Sequence, residues 1–233
     1  MAPAALSGFA TSPLPEPHSE IPMAIAEARR RNPEATKASI LRAAERCFVE
    51  HGFAGTSMAD IARRARVTKS LIHHHFGSKE ELWNEVKKSR ISHYAEVQRQ
   101  LMAEADSGER ALRGSIEVLF NFLRDNPEYV RLNTWMNLED PKLSTMHYPD
   151  LVTVGVERVR EEQQAGRIRR DLDPRSLIVA MISLCTYWFT AKKTGLAHLV
   201  PTGDSDEQHL DAIVKVLLEG VLTRSAREAP QTG

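Results

Sequence analysis

The side chains best suited to chemistry stand together between Thr56 and Lys79, in the run TSMADIARRARVTKSLIHHHFGSK. It gathers hydroxyls, the cations Arg63, Arg64, Arg66, Lys69 and Lys79, and the consecutive histidines His73, His74 and His75. These groups donate hydrogen bonds to phosphate oxygens and to the edges of bases. The histidines also invite a metal reading. On a helix, however, successive residues turn by about 100°, so three neighbouring imidazoles cannot converge on one ion. No metal and no cofactor is expected. The chain has no Ser/His/Asp arrangement with motif spacing, no G-x-S-x-G, no Gly-rich phosphate cradle and no H-E-x-x-H, so an enzyme is not expected.

Chemistry of this kind needs a helix that turns one polar face outward. If a helix begins near Lys69, then Lys69, Ser70, His73 and His74 fall within an arc of about 140°. Leu71, Ile72, His75 and Phe76 fall on the opposite side. In the preceding helix Met58, Ile61, Ala62 and Ala65 share an apolar stripe, while Asp60, Arg63 and Arg64 point away. Two such short helices need a third beneath them. The stretch from Thr36 to about His51 supplies it, with Ile40, Leu41, Ala44, Cys47 and Phe48 on one face. Gly52 ends that helix as a residue free to take positive φ, and Phe53 folds back onto the core. Thr56 or Ser57, then Thr68 and then Ser78 are the expected N-caps of the next three helices. The product is a three-helix helix-turn-helix unit, with the reading helices within 57–76, running into a longer connecting helix.

The stretch from Glu34 to Tyr94 resembles the DNA-binding domain of the TetR family of bacterial transcriptional regulators. The residues that carry the resemblance run from Ile40 to Leu82. They are an Ile-Leu-x-Ala-Ala opening, a Gly-Phe-then-Thr link, an Ile-Ala pair, a Val-Thr-Lys turn and a His-Phe-x-x-Lys ending. Two departures stand out. The family usually has Gly where Arg66 stands; in a left-handed conformation a non-Gly residue there costs about 1 kcal/mol. It also favours Gly and Tyr where Ser70 and His73 stand, the Tyr giving a phosphate hydrogen bond that His can also donate.

Charge distribution agrees. The chain is neutral overall, with 31 basic and 31 acidic residues, yet positions 29–90 hold fourteen Lys/Arg against seven Asp/Glu, a local +7. Residues 1–33 form a Pro-rich arm expected to be disordered. It has no basic n-region leading to an apolar h-region, and nothing before Met23 reads as structure. Its basic end, Arg29, Arg30 and Arg31, would serve either as a minor-groove arm or as a solubilising linker. The 233-residue length leaves room for a second, all-helical core over 95–225, followed by a tail at 226–233. Helices are expected at Glu109–Arg124, Pro127–Glu139, Tyr148–Gly166, Pro174–Lys193 and Asp206–Arg224, about nine in all, in an all-α fold. The apolar run Ser176–Thr190 falls about five residues short of a membrane span and is bracketed by Arg175 and Lys192. It is expected to be a helix buried on every side. Cys47 and Cys185 read as buried small hydrophobes in a reducing cytoplasm, and His93 as a core histidine of the connecting helix.

The resemblance implies a transcriptional regulator, most simply a repressor released from a palindromic operator by a small molecule. A ligand-independent or activating regulator is the alternative. Lys69, Ser70 and His74 are assigned to base edges, and Thr56, Ser57, Arg66, Thr68, His73 and Lys79 to phosphates. The last two helices would pair with their twins in a homodimer. Phe120, Trp135 and Trp188 are candidates to line a pocket for an apolar or aromatic effector, with ordinary core packing the leading alternative for each. The protein would be cytoplasmic, bound to double-stranded DNA, with no membrane partner.

Overall fold

Helices in this protein begin where a small polar side chain or a proline supplies what a first turn lacks. In a computed structural model, residues 32–105, 107–139, 149–194, 197–199 and 205–222 are described. Expectations for residues 1–31 of the N-terminal arm, Arg29–Arg31 among them, and for the 226–233 tail lie outside those residues, while Asn32 and Pro33, assigned to the arm, cap and open the first helix. Nine α-helices and one 3-10 turn, Ala197–Leu199, are found among the described residues, with no β-strand. They are α1 Pro33–His51, α2 Met58–Ala65, α3 Lys69–Phe76, α4 Lys79–Glu104, α5 Gly108–Asp125, α6 Pro127–Leu138, α7 Pro149–Gln164, α8 Pro174–Ala191 and α9 Ser205–Val221.

The caps explain the boundaries. α1 starts three residues before the expected Thr36, because Asn32 accepts from the Ala35 N–H at 3.0 Å and Pro33 sits in the first turn. Ser57, Thr68, Ser107 and Asp173 cap α2, α3, α5 and α8 in the same way. Ser78 forms a full capping box with Glu81 at the start of α4. Gly52 closes α1 at φ 71°, where a Cβ would also strike the Trp135 ring and a Glu139 oxygen at 2.8 Å.

Two hydrophobic cores result. The first, here the head, joins α1, α2, α3 and the start of α4 around Ile40, Phe48, Ile61, Ile72 and Trp83. Phe48, Phe53 and Trp83 pack ring against ring within it. The second, here the body, joins α5, α7, α8 and α9 around Ile116, Phe120, Leu123, Met181, Cys185 and Leu217. α4 belongs to both, burying Leu82, Trp83, Val86 and Lys87 near its start and Ala95 and Gln98 further on. Burial pushes the Lys87 ammonium down to about 8. His93 is exposed on α4, against the expectation of a core histidine. Its neighbour Tyr94, packed on Phe122, fills the inward position instead. α6 also bridges the two cores. Val130 contributes to the body and Leu132, fully buried, to the head.

Candidate nucleic-acid interface

α3 is an eight-residue helix whose two faces differ completely. Ile72 is fully buried and Phe76 nearly so, while Lys69, Ser70, His73 and His74 are exposed; Leu71 and His75 lie between. Core packing from below therefore fixes the rotation of the helix, and four polar side chains stand together on its outer side.

The turn leading into it is equally specified. Arg66 adopts φ 54° and ψ 51°, the left-handed cap of α2, and it is the sole non-glycine with positive φ among the described residues. Its N–H donates to the Arg63 carbonyl at 3.2 Å, and Val67 N–H to the Ala62 carbonyl at 3.0 Å. The arginine is exposed beside α3. Thr68 accepts from Leu71 N–H at 3.2 Å, which leaves its hydroxyl hydrogen for an acceptor outside the helix.

Four assigned phosphate contacts look different in three dimensions. Thr56 is 2% exposed, and its hydroxyl donates toward the carbonyls of Gly52 at 2.7 Å and Cys47 at 3.1 Å. It is a latch inside the head and cannot reach a phosphate. Lys79 donates its ammonium to the Phe53 and Thr56 carbonyls at 2.9 and 3.0 Å and lies 4.1 Å from the centre of the Phe53 ring. That charge is committed to the turn between α1 and α2. Ser57 accepts from Asp60 N–H and donates to the Asp60 carboxylate at 2.5 Å, so its hydroxyl is occupied as well. The Ser57 hydroxyl and Arg63 hold Asp60 below the usual carboxylate range. His73 places Nδ1 at 2.6 Å from the Gly77 carbonyl, and since a carbonyl only accepts, Nδ1 carries the hydrogen. In the neutral ring Nε2 then faces outward as an acceptor, and only the imidazolium can donate to a phosphate.

Among the described residues the three candidate pocket aromatics pack into different surroundings, as their alternative reading had it. Trp135 packs on the head core, and its indole N–H donates to the Val49 carbonyl at 3.2 Å. Trp188 stacks on His209 with ring centres 3.7 Å apart and donates to Asp206 at 2.8 Å. Phe120 is fully buried against Phe189. A half-open cavity of about 30 Å³ lies elsewhere in the body, lined by Met102, Ala111, Ser115, Gly155, Ile178 and Met181 among others. It has room for a water-sized group rather than for a typical ligand of some hundreds of Å³.

Sequence reasoning missed the contacts that tie the head to α6. Glu139 accepts the N–H groups of Phe53 and Ala54 at 3.0 and 3.1 Å. No local pattern announces a partner 86 positions away.

No described helix is long and apolar enough to cross a membrane. Residues 40–86 match the profile of bacterial regulatory proteins of the tetR family, and residues 112–218 that of the tetracyclin repressor-like C-terminal domain. The chain is 27% identical to the HTH-type transcriptional repressor SCO4008 of Streptomyces coelicolor, across 83% of this chain and 98% of that protein. It is 50% identical to the HTH-type transcriptional regulator TtgR of Pseudomonas putida over 56 residues, 23% of this chain and 27% of that one. In fold it is similar to the putative transcriptional regulator SCO4942 of Streptomyces coelicolor, with a TM-score of 0.64 at 23% identity over 80% of this chain and 98% of that one. Two profiles on successive parts of one chain, together with a relative matched along nearly its whole length, place this protein in the TetR family of bacterial regulatory proteins.

Proposed function

We propose that the protein is a transcriptional repressor that binds a pseudo-palindromic operator as a homodimer and leaves it when a small apolar molecule enters the body. The exposed face of α3 carries the reading. Lys69, Ser70 and His74 reach base edges in the major groove, while Thr68, Arg66 and His73 engage the backbone on either side. Family membership and the repressors among its relatives support this assignment over catalysis.

Dimerisation rests on what the body leaves uncovered. Four of the seven large hydrophobics exposed among the described residues lie on α8 and α9: Val179 at 62%, Tyr187 at 56%, Leu184 at 39% and Val216 at 65%. The expected all-round burial of α8 is therefore incomplete in one chain. A second copy supplies the missing cover by a two-fold axis, which sets two copies of α3 about 34–36 Å apart, one helical turn of DNA.

Effector entry at this cavity would push helices apart, because it is so small. Its lining residues Met102 on α4, Ala111 on α5 and Ile178 on α8 connect any such expansion to the connecting helix. By linkage, the effector binds the DNA-free arrangement more tightly than the bound one.

Selection of duplexes from a random library by the purified full chain tests the reading. An enriched sequence with two-fold symmetry is expected. His74→Ala should then relax preference at one base pair by about 1–3 kcal/mol. Enrichment of nothing, or of one unpaired half-site, would overturn the proposal.

A further inference from the structure

The turn between α1 and α2 is held by side chains from two other elements, the start of α4 within the head and the residue that follows α6. Helix ends leave carbonyls without partners, and tight turns leave N–H groups. At this turn the backbone and the Thr56 hydroxyl satisfy part of them locally, through Gly52 N–H to Phe48, Thr56 N–H to Phe53 and the Thr56 hydroxyl to Gly52 and Cys47. The Thr56 carbonyl and the second lone pair of the Phe53 carbonyl take the Lys79 ammonium at the start of α4. The remaining donors, Phe53 N–H and Ala54 N–H, go to a single carboxylate oxygen of Glu139, just past α6. Trp135 fills the space above Gly52 and donates to the Val49 carbonyl, so the last turn of α1 is covered by the same helix.

α6 is anchored in the body. One residue, Asn126, separates it from α5, and it packs on α5 and α8 as well as on α1. α5 and α8 both line the small cavity of the body. We infer that Glu139 is the positioning residue that locks each reading head to its body, so that a shift of α5 and α8 is delivered to α2 and α3 through α6 as well as through α4. This rests on the two-headed operator reading above. The carboxylate is suited to the task because one charged oxygen receives both N–H groups, each such bond being stronger than a neutral one. A joint made of two hydrogen bonds to one side chain is also released as a unit.

The prediction concerns spacing, not recognition. Losing the lock leaves α3 and its core intact but lets the two heads adopt variable separation. The full chain and its Glu139→Ala and Glu139→Gln variants are titrated against the symmetric duplex that the unmodified chain selects. The same duplex with base pairs inserted or removed between half-sites, and a single half-site, complete the set. Glu139→Ala should lose about tenfold in affinity at the native spacing, keep its half-site affinity, and discriminate less between spacings. Amide exchange at Phe53 and Ala54 should accelerate in the same variant. Glu139→Gln keeps one acceptor oxygen, folds as the parent does, and should fall between the two. Unchanged discrimination between spacings in both variants overturns the inference, as does an equal loss at half-site and full site, which would make Glu139 a structural part of the head. Selection of no duplex by the unmodified chain defeats the operator reading itself and takes the assigned role of Glu139 with it.

Discussion

In the head, Ile40, Phe48, Ile61, Ile72, Leu82 and Trp83 have no exposed surface, and α2, α3 and α4 each start on a side-chain cap. In the body, α8 and α9 leave four large apolar side chains in solvent, and a small cavity remains between α4, α5, α7 and α8. Recognition of bases needs side chains held to within a fraction of an ångström, which a closed core provides. The body keeps surface and volume that its own side chains do not fill, which is where the proposed dimer partner and effector would act.

The largest effect should come from opening the head. Trp83→Ala removes a fully buried indole that packs on both Phe48 and Phe53, and should cost about 3–5 kcal/mol. Denaturant unfolding should split into an early transition of the head and a later one of the body. A single shifted transition would instead mean that α4 and α6 weld the units into one cooperative block.

Next comes the uncovered face of the body. Tyr187→Lys changes a residue 56% exposed, so the isolated chain should keep its stability to within about 0.5 kcal/mol. Light scattering should nevertheless show a monomer, and operator affinity should fall by about a hundredfold or more as the two heads part. An intact dimer would move the interface away from α8 and weaken the contrast between the two units.

Lys79→Met separates two meanings of one lysine. Its ammonium bonds two carbonyls of the α1–α2 turn, so the variant should destabilise the head by about 2 kcal/mol. The salt dependence of DNA binding should stay as it was. A slope lower by about one would restore Lys79 as a phosphate contact.

These residues also mark how far the sequence can be read. The outward face of α3 is legible because residues 69–76 follow helical geometry and the caps at Thr68 and Ser78 are local signals. The helix count and the caps of α5 and α8 are legible for the same reason. Thr56 misleads because a threonine before a helix looks like a cap, whereas Ser57 takes that position and Thr56 turns inward. Trp135 reads as pocket lining because an aromatic on an amphipathic helix does not say which of two cores it faces. Glu139 leaves no trace at all, since its partners are fixed by how α6 crosses α1.

The smallest effect is the most discriminating, because stability and binding should move in opposite directions. Arg66 holds a left-handed backbone that a side chain disfavours. Arg66→Gly removes that strain and should stabilise the head by up to about 1 kcal/mol, less what the more flexible unfolded chain takes back. The same change deletes a cation beside the reading helix, so DNA affinity should fall equally for all sequences and the salt slope should drop by about one. Gain in stability with loss of affinity would show that a local backbone cost is retained at this turn because the side chain is needed outside the protein. Should both stability and affinity fall, Arg66 holds the head together through its side chain, and the separation between a self-sufficient reading unit and its contacts with DNA would have to be redrawn at this residue.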